Sequence, residues 1–296
     1  GRAGIATSIG HAPQAALVDP AAGSVLSIAE ALTNIVWAPL SEGLDSVSLS
    51  ANWMWPCKNE GEDARLYRAV EACSDFACSL GINIPTGKDS LSMTQKYGKD
   101  KVYSPGTVII SAGAEVSDIR KVVSPVLRTG VDSMVYYIDF SFDKLKLGGS
   151  AFAQSLDKIG KEVPTVQDSE YFANAFNAVQ ELINKELILA GHDISAGGMI
   201  TTMLEMNFAN TEGGLEVSLD EIPEKDLVKI LFSENPGILI QVEKTDEVEK
   251  ILKKAGVAFI RLARPCDERH LLIHKDGADY QFFIDHLRDV WFESSY

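Results

Sequence analysis

The chain has 296 residues, 46% of them hydrophobic and 23% charged, which supplies apolar material for real cores and excludes a disordered composition. Its 27 basic and 42 acidic residues give a formal charge of −15 with no basic, aromatic-laced stripe, so a nucleic-acid partner is not expected. Four cysteines (Cys57, Cys73, Cys78, Cys266) without a CxxC pair indicate neither a zinc site nor a disulfide scaffold.

That cysteine pattern fits a reducing cytoplasm, and since no apolar stretch approaches the roughly 18 residues that span a bilayer and there is no signal-peptide pattern, a soluble chain is expected. The length exceeds the ~250 residues at which single cores stop growing, so two domains are expected. The chain opens on Gly1 with a strand already under way, as a fragment of something longer would.

Asp19-Pro20 reads as a helix start, with Asp as cap and Pro at the first helical position. The helix is expected to run to about residue 37, burying Val25, Ile28, Ala29, Leu32, Ile35 and Val36 at spacings of three and four. On the other side Gly23, Ser27, Glu30 and Asn34 share a small, polar face. That face is either solvated or a place of close approach, where Glu30 and Asn34 would present two oxygen ligands together.

A second helix over residues 60–80 places Leu66, Ala69, Val70, Cys73, Phe76, Ala77 and Leu80 on one stripe, with Gly81 as its stop. Strands are expected at 82–84 and 107–116. Between them Pro85-Thr86-Gly87-Lys88-Asp89-Ser90 reads as a structural turn or a nucleotide-contacting loop; Asp89 interrupts the Walker pattern, so it is not a P-loop. Alternating strands and helices indicate α/β for this half.

Residues 122–130 lack a period, and a domain boundary is placed there, dividing the chain into 1–124 and 125–296. The second half reads as a strand at 133–140, a tight turn at Leu147-Gly148-Gly149-Ser150, and helices over 171–185, 198–209 and 246–255. Further strands are expected at 215–219, 237–242 and 257–263, which makes this half α/β or α+β.

The stretch from Leu189 to Met199 is the most informative. An apolar run over 186–190 is expected to break at Gly191, exposing Asp193 and Ser195 before a helix restarts through Gly197-Gly198. Oxygen ligands suit Mg²⁺ with phosphate, and the helix N-terminus adds unpaired N–H groups. A helix cap followed by turn glycines explains the same residues without a ligand. His192 is as consistent with capping the turn as with a site, and no acid, base or nucleophile is assigned.

In order, Ser-Ile-Gly-His-Ala-Pro, Asp-Pro-Ala-Ala-Gly-Ser, Ala-Glu-Ala-Leu-Thr-Asn, Leu-Ser-Ala-Asn-Trp-Met, Gly-Lys-Asp-Ser-Leu-Ser-Met, Leu-Gly-Gly-Ser and His-Asp-Ile-Ser-Ala-Gly-Gly resemble the phosphoribosylformylglycinamidine synthase family, in its large single-chain form. The resemblance implies an AIR-synthetase-like (PurM-like) unit, an α/β half-barrel domain followed by an α+β domain, corresponding to the second of two synthetase repeats. It implies an ATP-dependent ligase of purine biosynthesis that makes formylglycinamidine ribonucleotide with glutamine-derived ammonia. This repeat would hold an auxiliary ADP with Mg²⁺, with Glu30, Asn34 and Asp193 as metal ligands and Ser195 as a nucleotide contact.

The implied partners are the first synthetase repeat and the glutaminase domain of the parent chain, or a second copy of the fragment. The family's first magnesium-binding aspartate falls upstream of Ser8 to Pro13, so turnover by this stretch alone is not expected. A complete small enzyme of the same superfamily (AIR synthetase, selenophosphate synthetase or thiamine-phosphate kinase type) and a scaffold that binds no nucleotide are the alternatives.

Overall fold

The computed structural model describes residues 1–293. Strand β1 (Gly4–His11) leads through α1 (Pro13–Val18) into α2 (Pro20–Ile35). Then come β2 (Ser48–Met54), α3 (Glu62–Ser79), β3 (Asn83–Ser90), the hairpin β4 (Thr94–Tyr97) and β5 (Asp100–Tyr103), and β6 (Thr107–Val116). The second half runs β7 (Met134–Asp139), α4 (Ala151–Ser155), α5 (Ser169–Asn184), β8 (Ile188–Ile194), α6 (Gly198–Phe208) and β9 (Gly214–Ser218). It ends with α7 (Leu227–Phe232), β10 (Gly237–Val242), α8 (Thr245–Lys254), β11 (Ile260–Cys266), β12 (His270–Lys275), β13 (Ala278–Phe283) and α9 (Ile284–Glu293).

The first half is a four-stranded sheet in the order β1-β6-β2-β3, backed by α2 and α3. Helix α2 starts where Asp-Pro requires: the Asp19 carboxylate accepts from the Ala21 and Ala22 amides. Its buried stripe includes Ile28, Ala29, Leu32 and Ile35, continued by Val36 at the C-cap, and each Ile, Leu or Val side chain contributes about 1.5–3 kcal/mol on burial. Strand β6 alternates buried and exposed positions, as a sheet with one covered face demands.

The second sheet has seven strands in the order β13-β12-β9-β11-β7-β10-β8. Helices on both faces leave β10 buried at every position, which explains its largely apolar run; its one polar side chain, Gln241, is hydrogen-bonded to the Arg128 backbone and Ser133 Oγ. One continuous core joins the halves: Ile28, Leu32 and Ile110 belong to the same cluster as Ile138, Phe172 and Phe176. Phe172 on α5 packs edge-on against both Phe76 and Phe140, at 5.7 and 5.3 Å between ring centroids. Two α5 amides pin the chain after α2: Gln180 donates to the Val36 and Ala38 carbonyls and accepts from the Leu40 amide, and Asn177 accepts from the Leu44 amide.

Several expectations are corrected. The run at 85–90 is neither turn nor loop but part of β3, paired in parallel with β2 (Ala51 opposite Gly87, Asn52 opposite Lys88). As an exposed edge strand it carries polar residues and lacks the apolar signature of a strand. Strand β8 does not break at Gly191; it pairs with β10 through Gly191, His192 and Asp193. The glycine serves the ring of Trp37, which lies where a Cβ would project. Val70 is 43% exposed and off the buried stripe of α3, and residues 257–259 precede β11.

Candidate functional site

A cavity of about 250 Å³ opens where the two halves meet. From the first half come the end of β1 and the start of α1 (His11, Ala12, Gln14, Ala15) and Leu26 and Glu30 of α2. The second half contributes the turn before α4 (Gly148, Gly149, Ala151), the turn after β8 (Ile194, Ser195, Ala196), and Glu234. Gly149 adopts φ 72°, and a Cβ there would come within 2.7 Å of the Ala15 Cα. Only glycine lets that turn lie against α1.

Glu30 and Ser195 meet across this cavity: the Ser195 hydroxyl donates to Glu30 Oε1 at 2.6 Å. Asn34, one turn further along α2, donates to the Glu30 carbonyl at 3.0 Å and to Oε1 at 3.4 Å, leaving its own Oδ1 free to accept. Burial pushes the Glu30 carboxyl up to about 7; the Asp193 and Glu234 carboxylates add to the rise, while the Ser195 and Asn34 hydrogen bonds oppose it. Glu30 therefore faces the carboxylates of Asp193 and Glu234, of which Asp193 is paired with His192. Among the described residues no lysine or arginine lines the cavity.

Asp193 lies at the end of β8, 6% exposed. Its carboxylate is 3.3 Å from His192 Nδ1, and Glu205 is 3.3 Å from the other ring nitrogen. Burial disfavours the charged ring, but the two carboxylates outweigh it and raise His192 to about 10. His192 is thus a cation held between two acids rather than a turn cap. The turn that follows is built by glycine: Gly197 and Gly198 take φ 91° and 75°, and the Gly198 amide returns to the Ser195 carbonyl at 3.0 Å.

Of the four residues singled out in the sequence, Glu30, Asn34 and Ser195 are linked directly, and Asp193 acts on Glu30 through its charge. The small face of α2 has a different explanation at its first two positions. A Cβ on Gly23 would come within 2.6 Å of the Ala16 Cα, and Ser27, 1% exposed, donates to the Gly23 carbonyl; both serve packing, including that against α1. Lys88 lies outside the cavity and donates to Ser90 Oγ at 2.8 Å.

Glu234 carried no signal in the sequence, being one acid in a Ser-Glu-Asn-Pro-Gly turn. It gains its place only because the turns before α4 and α6 converge on it. The donor set of Glu30, Asn34 and Asp193 is oxygen only, which suits Mg²⁺. Among the described residues no three His, Cys, Asp or Glu side chains form a metal-holding group by themselves, so the amide of Asn34 or ligand oxygens would complete such a site.

The sequence matches known families in two blocks. Residues 1–115 match the FGAR-AT PurM_N-like domain, and residues 135–271 match the AIR synthase related protein, C-terminal domain. Probable phosphoribosylformylglycinamidine synthase of Arabidopsis thaliana is 39% identical over 99% of this chain and 21% of its own length. Phosphoribosylformylglycinamidine synthase of Homo sapiens is 35% identical over 99% of this chain and 22% of its own. Over nearly its whole length the chain is similar to phosphoribosylformylglycinamidine synthases.

It spans about a fifth of the length of these curated relatives. Among solved structures, T. maritima PurL complexed with FGAR superposes with a TM-score of 0.77 at 16% identity, covering 97% of this chain and 46% of that one. T. maritima PurL complexed with ATP gives 0.74 at 14% identity, over 97% and 44%. The hydrogenase maturation protein HypE in complex with ATP gives 0.64 at 14% identity, over 95% and 84%. At these identities the likeness establishes the fold: a PurM-like α/β unit followed by an AIR-synthase α+β unit.

Proposed function

We propose that this chain is the second synthetase repeat of an ATP-dependent ligase that converts formylglycinamide ribonucleotide and glutamine-derived ammonia to formylglycinamidine ribonucleotide. In this reading it divides at residues 124/125, works in the cytoplasm, and holds an auxiliary Mg·ADP that braces the active repeat. The observation that carries the reading is the Ser195–Glu30 contact across a cavity between the halves whose lining, among the described residues, contains glutamates and no lysine or arginine. A polyphosphate would enter such a cavity only with its charge offset by a divalent cation.

Glu30, Asn34 and Asp193 would hold that Mg²⁺, and Ser195 would contact the nucleotide. Bound there, the ion supplies charge neutralisation for both phosphate and carboxylates. The burial of Glu30 and the hydrogen bond from Ser195 orient the acid side of the site. We assign the repeat a holding role rather than turnover. The open face of the first sheet, where Ile5 is 81% and Ile9 59% exposed, supports docking of the first repeat of the parent chain, or of a second copy. The glutaminase domain would lie in the same parent chain.

Calorimetric titration of the chain with Mg·ADP tests the nucleotide site. Binding that weakens at least tenfold in Asp193→Ala and in Glu30→Ala is expected. Wild-type protein that is folded by circular dichroism yet takes up no Mg·ADP would point instead to a scaffold without a ligand.

A further inference from the structure

Glu234 is unlike the other acids around the cavity. Its Oε1 accepts the backbone N–H of Ala151 at 2.7 Å and that of Gly197 at 2.8 Å, so a single oxygen ties together the turns that open α4 and α6. Both of these bonds fall on Oε1; among the described residues none donates to Oε2, although the side chain lines the cavity.

The residue is also held in place from both sides. Ser233 and Asn235 are 4% and 2% exposed, and Asn235 Nδ2 donates to Ser141 Oγ at 3.0 Å and to the Lys144 carbonyl at 3.1 Å. A carboxylate on so fixed a backbone is a built part of the cavity wall rather than a mobile surface acid.

Two converging amides at the start of helical turns are the donors that a phosphate or carboxylate group would otherwise use. We propose that Glu234 is a resident anion, a specificity-determining residue that fills the Ala151 and Gly197 amide seat and keeps the anionic groups of any ligand out of it. Oε1 satisfies both donors, and the charge or bulk of the carboxyl occupies the space in front of them. Anionic groups of a ligand are thereby confined to the Glu30 and Ser195 side of the cavity. The free Oε2 is left to accept from a neutral donor such as a hydroxyl.

Inorganic phosphate without divalent cation tests this whether or not the chain binds a nucleotide, so failure of the Mg·ADP experiment leaves it standing. The Ala151 and Gly197 amide resonances of the whole chain are followed in ¹⁵N-resolved spectra. In wild type they are expected not to move with phosphate. In Glu234→Ala both are expected to shift and saturate, with at least a tenfold gain in phosphate affinity.

Glu234→Gln, whose amide oxygen can keep both hydrogen bonds, is expected to behave as wild type. If Glu234→Ala does not fold, Glu234→Ser, uncharged and too short to reach both amides, takes its place. Phosphate-dependent shifts of both amides in wild type, or none in a folded short-side-chain variant, would overturn the proposal.

Discussion

Ser195 donates to Glu30 Oε1 across 165 positions of sequence, joining the turn after β8 to the middle of α2. A hydrogen bond to a charged acceptor contributes about 1.5–3 kcal/mol. Ser195→Ala is therefore expected to lower stability at pH 8 by about that amount, and by less at pH 5, where Glu30 holds a proton. Urea melts at the two pH values read the difference.

The Glu30 carboxyl sits at about 7 in the folded chain against an ordinary 4.5, burial being the main cause. A group raised on folding contributes stability that is fully present below its unfolded value and lost as pH rises through the folded one. The stability of wild type relative to Glu30→Gln is thus expected to fall between pH 4.5 and 7 and then level off. A difference that stays flat over this window, measured without divalent cations, counts against the assignment.

Gly191 gives its Cβ direction to the Trp37 ring. Gly191→Ala must displace the ring or bend β8, an overpacking cost of about 1–3 kcal/mol. The expected lowering of the melting temperature would be accompanied by a change in tryptophan fluorescence.

Phe172 is fully buried between Phe76 of α3 and Phe140 beyond β7. Phe172→Ala is expected to cost about 3–5 kcal/mol. Because the same core cluster runs through both halves, the loss should appear as one shifted unfolding transition. Two separated transitions in calorimetry would show that the halves melt independently.

Much of the fold is legible in the sequence where local chemistry and tertiary demand agree. Asp19-Pro20 marks the start of α2, and β6 and β10 lie at 107–116 and 237–242, as their apolar runs suggest. Legibility fails where a neighbour decides. β2 is half polar and shows no strong run, and β3 disguises an edge strand as a turn-like Pro-Thr-Gly-Lys.

For the site, Glu30, Asn34 and Ser195 are readable as oxygen-bearing side chains at suggestive positions, and the fold links them. Gly191 shows the opposite case: glycine suggests a break, but the reason for it is a tryptophan 154 positions away. Glu234 has no readable role because its two amide partners lie 83 and 37 residues distant.

The lining of the cavity, with its glutamates and, among the described residues, no lysine or arginine, also bears on how fast a ligand arrives. In a chain of formal charge −15, the field at the mouth repels a free polyphosphate. Association of a metal-free nucleotide should therefore speed up as salt is added, the reverse of the usual steering at phosphate sites. The cation-bound form, carrying less charge, should associate faster than the metal-free form at low ionic strength and depend less on salt.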